Sequence, residues 1–313
     1  MAFSSLRSLM GASSGGRAPA RGVFGGGNTG SVSNVIDYIT ISSFGDASNF
    51  GDLSVARSVP AATSNGTTDR GVFGGGSTGS VSNVIDYITI SSFGDASNFG
   101  DLSVARDALA ATSNGTRDQG VFGGGYTGSI TNVIDYITIS SFGDASYFGD
   151  LTVSRRYVSA TSNGTTDRGV FGGGNTGSAS NVIDYITISS TGDASNFGDL
   201  TVSREGPGAT SNGTTDRGVF GGGWDDSAGR HNVIDYITIS STGNASNFGD
   251  LSVARHYLSA TSNGTTDRGV FGGGNDGTDD DIIDYITISS FGDASNFGDL
   301  TVARDALAAT SDA

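Results

Sequence analysis

The chain has 313 residues, 52 of them glycine, with 32 acidic side chains against 16 arginines, no lysine and no cysteine, for a formal net charge of −16. Without cysteine there are no disulfides, thiolate nucleophiles or cysteine-type zinc sites; without lysine there is no Schiff base and no phosphate-loop lysine. The acidic charge repels nucleic acid and anionic lipid, and no stretch reaches the roughly eighteen apolar residues of a membrane span, so neither nucleic-acid binding nor membrane insertion is expected.

In chain order the first segment is residues 1–21, opening MAFSSLRSLMGASSGG. Arg7 interrupts it before any apolar run of signal-peptide length, so it reads as an exposed tail rather than an export signal. It carries Arg7, Arg17 and Arg21 with no acidic residue, on an acidic body. Its spaced apolar residues Phe3, Leu6, Leu9 and Met10, with Arg7, are expected to anchor the chain on a partner by docking or strand addition.

From residue 22 to 313 the chain is one unit written six times. The string GVFGGG begins at Gly22, Gly71, Gly120, Gly169, Gly218 and Gly269, a period of 49 residues with a single step of 51. Each unit continues through a strand-like NVIDYITI, with Val35, Ile39 and Ile41 on one face and Ile36 and Tyr38 on the other. Such a strand must be covered on both sides. Phe50, Leu53 and Val55 mark another strand, and GVF and AATS are short pieces between Gly, Asn and Asp turn residues. Four short strands per unit without helical periodicity predict an all-β ring, a six-bladed propeller of four-stranded antiparallel blades. A β-solenoid, with rungs of about twenty residues or fewer, fits a 49-residue period poorly.

The glycines Gly25 to Gly27, then Tyr38, Phe50, Leu53 and Arg57, resemble a kelch repeat, with Phe50, Phe99, Phe148, Phe197, Phe248 and Phe297 standing where kelch usually has tryptophan. The near-identical copies of NVIDYITI and GDASNFGDLTVAR also resemble kelch-like repeat proteins of marine bacteriophages, cyanophages in particular. That resemblance implies a non-enzymatic virion structural protein: a fibre, adhesin or decoration protein on the particle surface, made in the host cytoplasm without a signal peptide. It would be held to other virion proteins through the tail and would meet a host-surface glycan or protein.

Six units need six innermost strands, and only five AATS-like segments lie between copies. The C-terminal DALAATSDA, Asp305 to Ala313, matches them and is expected to close the ring on the first blade. Pro19 makes the N-terminal segment a poorer competitor for that place.

Two stretches differ between copies. One follows GVFGGG: Asn28 to Ser33, Ser77 to Ser82, Tyr126 to Thr131, Asn175 to Ser180, Trp224 to His231, and Asn275 to Ile282. The other begins at Ser58, Asp107, Arg156, Glu205, His256 and Asp305. In an up-and-down blade both fall at the same end, so they share a face that collects the only tryptophan, both histidines and the only glutamate. Tyr126, Arg156, Tyr157, Trp224, Asp225, Asp226, Arg230, His231, His256 and Tyr257 are therefore the candidate ligand-binding residues, suited to stacking on sugar rings or anchoring in a protein.

No catalytic residues are singled out. A carboxylate pair on the variable face could hydrolyse a glycan, and an intracellular kelch-type interaction module is a further alternative. No cofactor is expected. Asp46, Asp52 and Asp69 recur and could take calcium, but turn formation is the simpler use of aspartate there. Asp52 and Arg57 are expected to pair at blade junctions, and the SNGT segments, Ser64 to Thr67 and its repeats, to form Asn-Gly turns rather than glycan acceptors.

Overall fold

The structure, a computed structural model, describes residues 20–311 apart from Thr116, Asn263 and Thr265. The proposed anchor residues Phe3, Leu6, Arg7, Leu9 and Met10 lie outside the described residues. Among the described residues no helix is long and apolar enough to cross a membrane.

Six four-stranded antiparallel sheets form the blades of a propeller. In the first blade the order outward from the axis is Ala308–Ser311, Arg21–Gly25, Val35–Thr40 and Ser48–Asp52. The last strand of the chain is thus the innermost strand of the first blade, with Phe24 opposite Ala309. Strand structure begins at Arg21, one residue ahead of the GVFGGG string. The other inner strands are Ala61–Thr63, Ala110–Thr112, Ser159–Thr161, Gly208–Thr210 and Ser259–Ser262.

Every blade is covered on both sides by its neighbours, as the two-faced NVIDYITI strand requires. Phe73 is fully buried against Gly25 of the preceding blade, where a Cβ would stand 2.7 Å from the ring, so glycine is dictated by close approach. The outer strand ends at Asp52, earlier than the sequence pattern predicts, and Leu53 turns inward into the interblade core with Phe50, Phe73 and Ile88. The turn after the third strand hydrogen-bonds the preceding blade's outer strand, from Gly94 N to Phe50 O at 3.0 Å and Ala96 N to Asp52 O at 2.8 Å.

The expected junction ion pair exists with a different acid. Arg57 pairs with Asp86 at 2.9 Å, both side chains 0% exposed, and the pairing recurs at Arg106–Asp135, Arg155–Asp184, Arg204–Asp235, Arg255–Asp284 and Arg304–Asp37. Asp37 and its equivalents lie mid-strand between apolar neighbours, whereas Asp52 lies on the outer strand, where its backbone N–H bonds Asp95. Arg57 also donates to Phe73 O and Val84 O, and Asp86 accepts from Ser54. This bonding satisfies much of the buried polar surface at each seam.

Candidate functional site

The two variable stretches meet at every blade junction. Ser58 bridges Ser77, Asp107 bridges Tyr126, Arg156 bridges Asn175, Glu205 bridges Trp224, His256 bridges Asn275 and Asp305 bridges Asn28. The bridges build one ring around the axis at a single end of the molecule.

Inside that ring lies a second, made of backbone. Val59, Ala108, Tyr157, Tyr257 and Ala306 have φ between 47° and 55°, and Gly206 has φ 60°. In each the N–H donates to the carbonyl of its counterpart one blade back: Ala108 to Val59, Tyr157 to Ala108, Gly206 to Tyr157, Tyr257 to Gly206, Ala306 to Tyr257 and Val59 to Ala306, at 2.7 to 3.1 Å. The left-handed conformation is costly for residues with a Cβ, and the closed hydrogen-bond cycle holds it. This collar crosses the mouth of the axial channel, and beneath it a cavity of about 110 Å³ is lined by the inner strands.

Upon the collar the side chains are unequal. Arg156 lies over Tyr126 at 5.3 Å and over Tyr157 at 5.1 Å from the ring centroids. Tyr157 packs on Tyr257 at 4.8 Å, and Tyr257 on His256 at 4.3 Å. Five planar groups thus form one continuous strip across the mouth. Gly206 makes this possible, because a Cβ there would stand 2.4 Å from the Tyr257 ring. Small residues, Ser58, Val59, Ser77 and Ala306, occupy the opposite side of the ring.

Glu205, 6% exposed, fixes the strip from below: it accepts from the Tyr257 hydroxyl at 3.0 Å and from the Asn175 amide. Burial pushes the Tyr157 and Tyr257 phenols up, so both stay neutral hydroxyls. Burial holds His256 below the ordinary imidazole range while its Nδ1–H donates to Asn275 O at 3.0 Å. Burial also raises the Asp107 carboxyl, against the pull of nearby Arg156.

The two-residue insertion in the fifth copy makes a small hairpin, Trp224–Asp225 paired with Gly229–Arg230. Asp225 accepts from Ala228 N and Ser227 N at 2.6 Å and from His231 Nε2 at 2.8 Å, which hold its carboxyl well below the usual range. Arg230 docks the hairpin on Asn275, the residue that His256 also contacts, and Asp226 is exposed near its tip. Of the candidate residues, Tyr126, Arg156, Tyr157, His256 and Tyr257 therefore form the strip, and Trp224, Asp225, Asp226, Arg230 and His231 form the hairpin beside it. The sequence reading gave Glu205 and Asn175 no role; the lone glutamate was the available signal for the first, and nothing distinguished the second.

Across the seam between the last and first blades stand Asp305 and Asp279. Burial, with Asp279 adding to it, pushes the Asp305 carboxyl up to about 6. Its Oδ1 is buried without a hydrogen-bond partner. Among the described residues no group of three or more His, Cys, Asp or Glu is arranged to hold a metal ion. Asp46 and Asp69 serve in turns, accepting from Asp299 N and Ser91 N. Asn65 of the first SNGT segment is 1% exposed with its amide donating to Asp118 at 2.9 Å, an arrangement that leaves it no room to carry a glycan in the folded protein.

Compared with known proteins, the chain matches no protein-family model and no curated protein. The six-bladed propeller is the level of relationship that stands on the fold itself.

Proposed function

We propose that the protein is a non-enzymatic binding module that takes a surface glycan on its variable face, serving as a fibre, adhesin or decoration protein of a bacteriophage particle. One observation carries the reading: variation between otherwise uniform blades is gathered on one end, where it builds a half-buried strip of stacked rings on a hydrogen-bonded backbone collar. Aromatic faces supply apolar area with a fixed orientation and little side-chain entropy to lose. Recognition by preorganised rings needs no movement of the scaffold.

The particle assignment rests on the resemblance of the repeats to those of marine phages, and a cysteine-free acidic surface is compatible with saline surroundings. The tail would attach the ring to other virion proteins. A glycan array probed with the full chain tests the binding role: retention of a defined glycan, lost in Tyr157→Ala and Tyr257→Ala, is expected. Reducing-end assays on the retained glycan should show no turnover; turnover would replace this reading with that of a glycan-processing enzyme. Electron microscopy of purified particles should place a six-fold ring at capsid, fibre or tail tip, and its absence would remove the virion role.

A further inference from the structure

At the end of the ring opposite the variable face, the turn after the third strand carries an exposed phenylalanine in four of the six copies. Phe44, Phe93, Phe142 and Phe291 are 53–55% exposed, and the fourth and fifth copies have Thr191 and Thr242 at that position. Each ring is seated from one side. Phe93 packs on Tyr38 at 4.8 Å with Arg21 over it at 4.2 Å, and Phe44 packs on Tyr285 at 4.9 Å with Arg268 over it at 4.2 Å. More than half of each residue is still open to solvent, which leaves apolar area in water.

The four phenylalanines belong to the sixth, first, second and third blades and the two threonines to the fourth and fifth, so the exposed rings form an arc rather than a full circle. The chain joins the ring in the middle of that arc. Arg21 opens the first strand of the first blade at this same end, where Ala20 O accepts from Ile41 N at 3.1 Å just ahead of the Phe44 turn. Phe93 stands at the seam on one side of the first blade and Phe44 at the seam on the other. Residues 1–19 therefore join the described fold between two exposed phenylalanines.

The two surfaces match in chemistry. Phe3, Leu6, Leu9 and Met10 bring large apolar side chains, and Arg7 and Arg17 bring positive charge with no acidic residue in that segment. On the ring, each phenylalanine is followed two positions later by an exposed aspartate: Asp46, Asp95, Asp144 and Asp293. The link, residues 11–20, is rich in Gly, Ser and Ala and spans roughly 33 Å when extended, while Phe93 is already in contact with Arg21.

We propose that residues 3–10 of the chain's own tail dock on this arc, covering Phe44 and Phe93 with their apolar side chains while Arg7 faces Asp46 and Asp95. A tethered segment meets its seat at high effective concentration, whereas a second ring would bring an equally acidic end toward the first. The proposal goes beyond the glycan-binding reading and does not rest on it. It adds a condition to attachment, because a particle protein that takes the tail must first displace it from the ring.

Two measurements on the full chain test it. In an Arg17→Gln background, Arg7 is the trypsin site of residues 1–19. Cleavage after Arg7 should be about tenfold slower than in the same chain carrying Phe44→Thr and Phe93→Thr, substitutions the fold accepts because Thr191 and Thr242 occupy the equivalent position. Leu6→Ser with Leu9→Ser, which lies outside the ring, should release the site equally. With Leu9 replaced by the photoreactive benzoylphenylalanine, crosslinks should form within one chain to the segments holding Phe44 or Phe93. Equal cleavage in the parent and both variants overturns the docking. Crosslinks to the segments holding Thr191 or Thr242 overturn the arc as the seat. Crosslinks between two chains that grow with protein concentration overturn the intramolecular contact and give the arc to a neighbouring copy.

Discussion

Six buried arginine–aspartate pairs show how much the surroundings of one side chain decide. An unpaired charge in such a seam costs far more than the pair contributes. Asp86→Ala, which strands Arg57 among the Phe73 and Val84 carbonyls, should therefore lower stability by about 3–5 kcal/mol in chemical denaturation, and Arg57→Met combined with Asp86→Leu should cost markedly less. A gentler pairing lies on the opposite end of the ring. Arg21, Arg70, Arg217 and Arg268 each lie 4.2 to 4.5 Å over an exposed phenylalanine of a neighbouring blade: Phe93, Phe142, Phe291 and Phe44. Where the fourth copy has Thr191 in place of phenylalanine, the facing position is Gln119 rather than arginine. Introducing Gln119→Arg and Thr191→Phe together should yield a favourable coupling of about 0.5–1 kcal/mol in a double-mutant cycle. Asp305 gives a pH dependence. Its folded value, about 6, lies above the ordinary carboxyl value, so the folded state holds the proton more tightly and stability is lost as pH rises from about 4 through 6. Asp305→Asn should raise the denaturation midpoint at pH 7.5 and leave it unchanged at pH 4.

Among the elements, the closing strand carries the largest consequence. Ala308–Ser311 pairs with Arg21–Gly25, and its neighbours around the axis are the inner strands Ser259–Ser262 and Ala61–Thr63. Truncation after Arg304 would remove it and the Ala306 link of the collar, leaving the first blade with an exposed inner edge. The truncated chain should lose its cooperative transition or associate through that edge, as read by denaturation and light scattering. The fifth-copy hairpin is a contrasting case, because it adds two residues outside the four-stranded blade. Replacing Trp224 to His231 by the six residues NTGSVS should change the unfolding free energy by no more than about 0.5 kcal/mol in chemical denaturation, as for surface changes that leave no buried group unpaired.

For the whole molecule, the repeat and the ring divide the information. The 49-residue period, the two-faced NVIDYITI strand and the spare C-terminal AATS determined the six blades, their strand count and the closure, because local alternation and turn chemistry alone say where strands begin and which faces are covered. The grouping of both variable stretches at one end followed from the same up-and-down connectivity. The partner of Arg57 was not legible: Asp52 is nearer in sequence, yet the seam brings Asp86 from the next blade, and a mid-strand aspartate between Ile85 and Tyr87 was the only hint. Nor was the strip. Tyr126 and Tyr157 come from the third copy, Gly206 from the fourth and Tyr257 from the fifth. Only closure of the ring brings them within stacking distance, because the backbone collar that aligns them is made of hydrogen bonds between residues about fifty positions apart. The sequence by itself determined a uniform scaffold with one diversified end. The tertiary structure decided which of those diverse residues touch, since contact between blades depends on the closed circle and not on order along the chain.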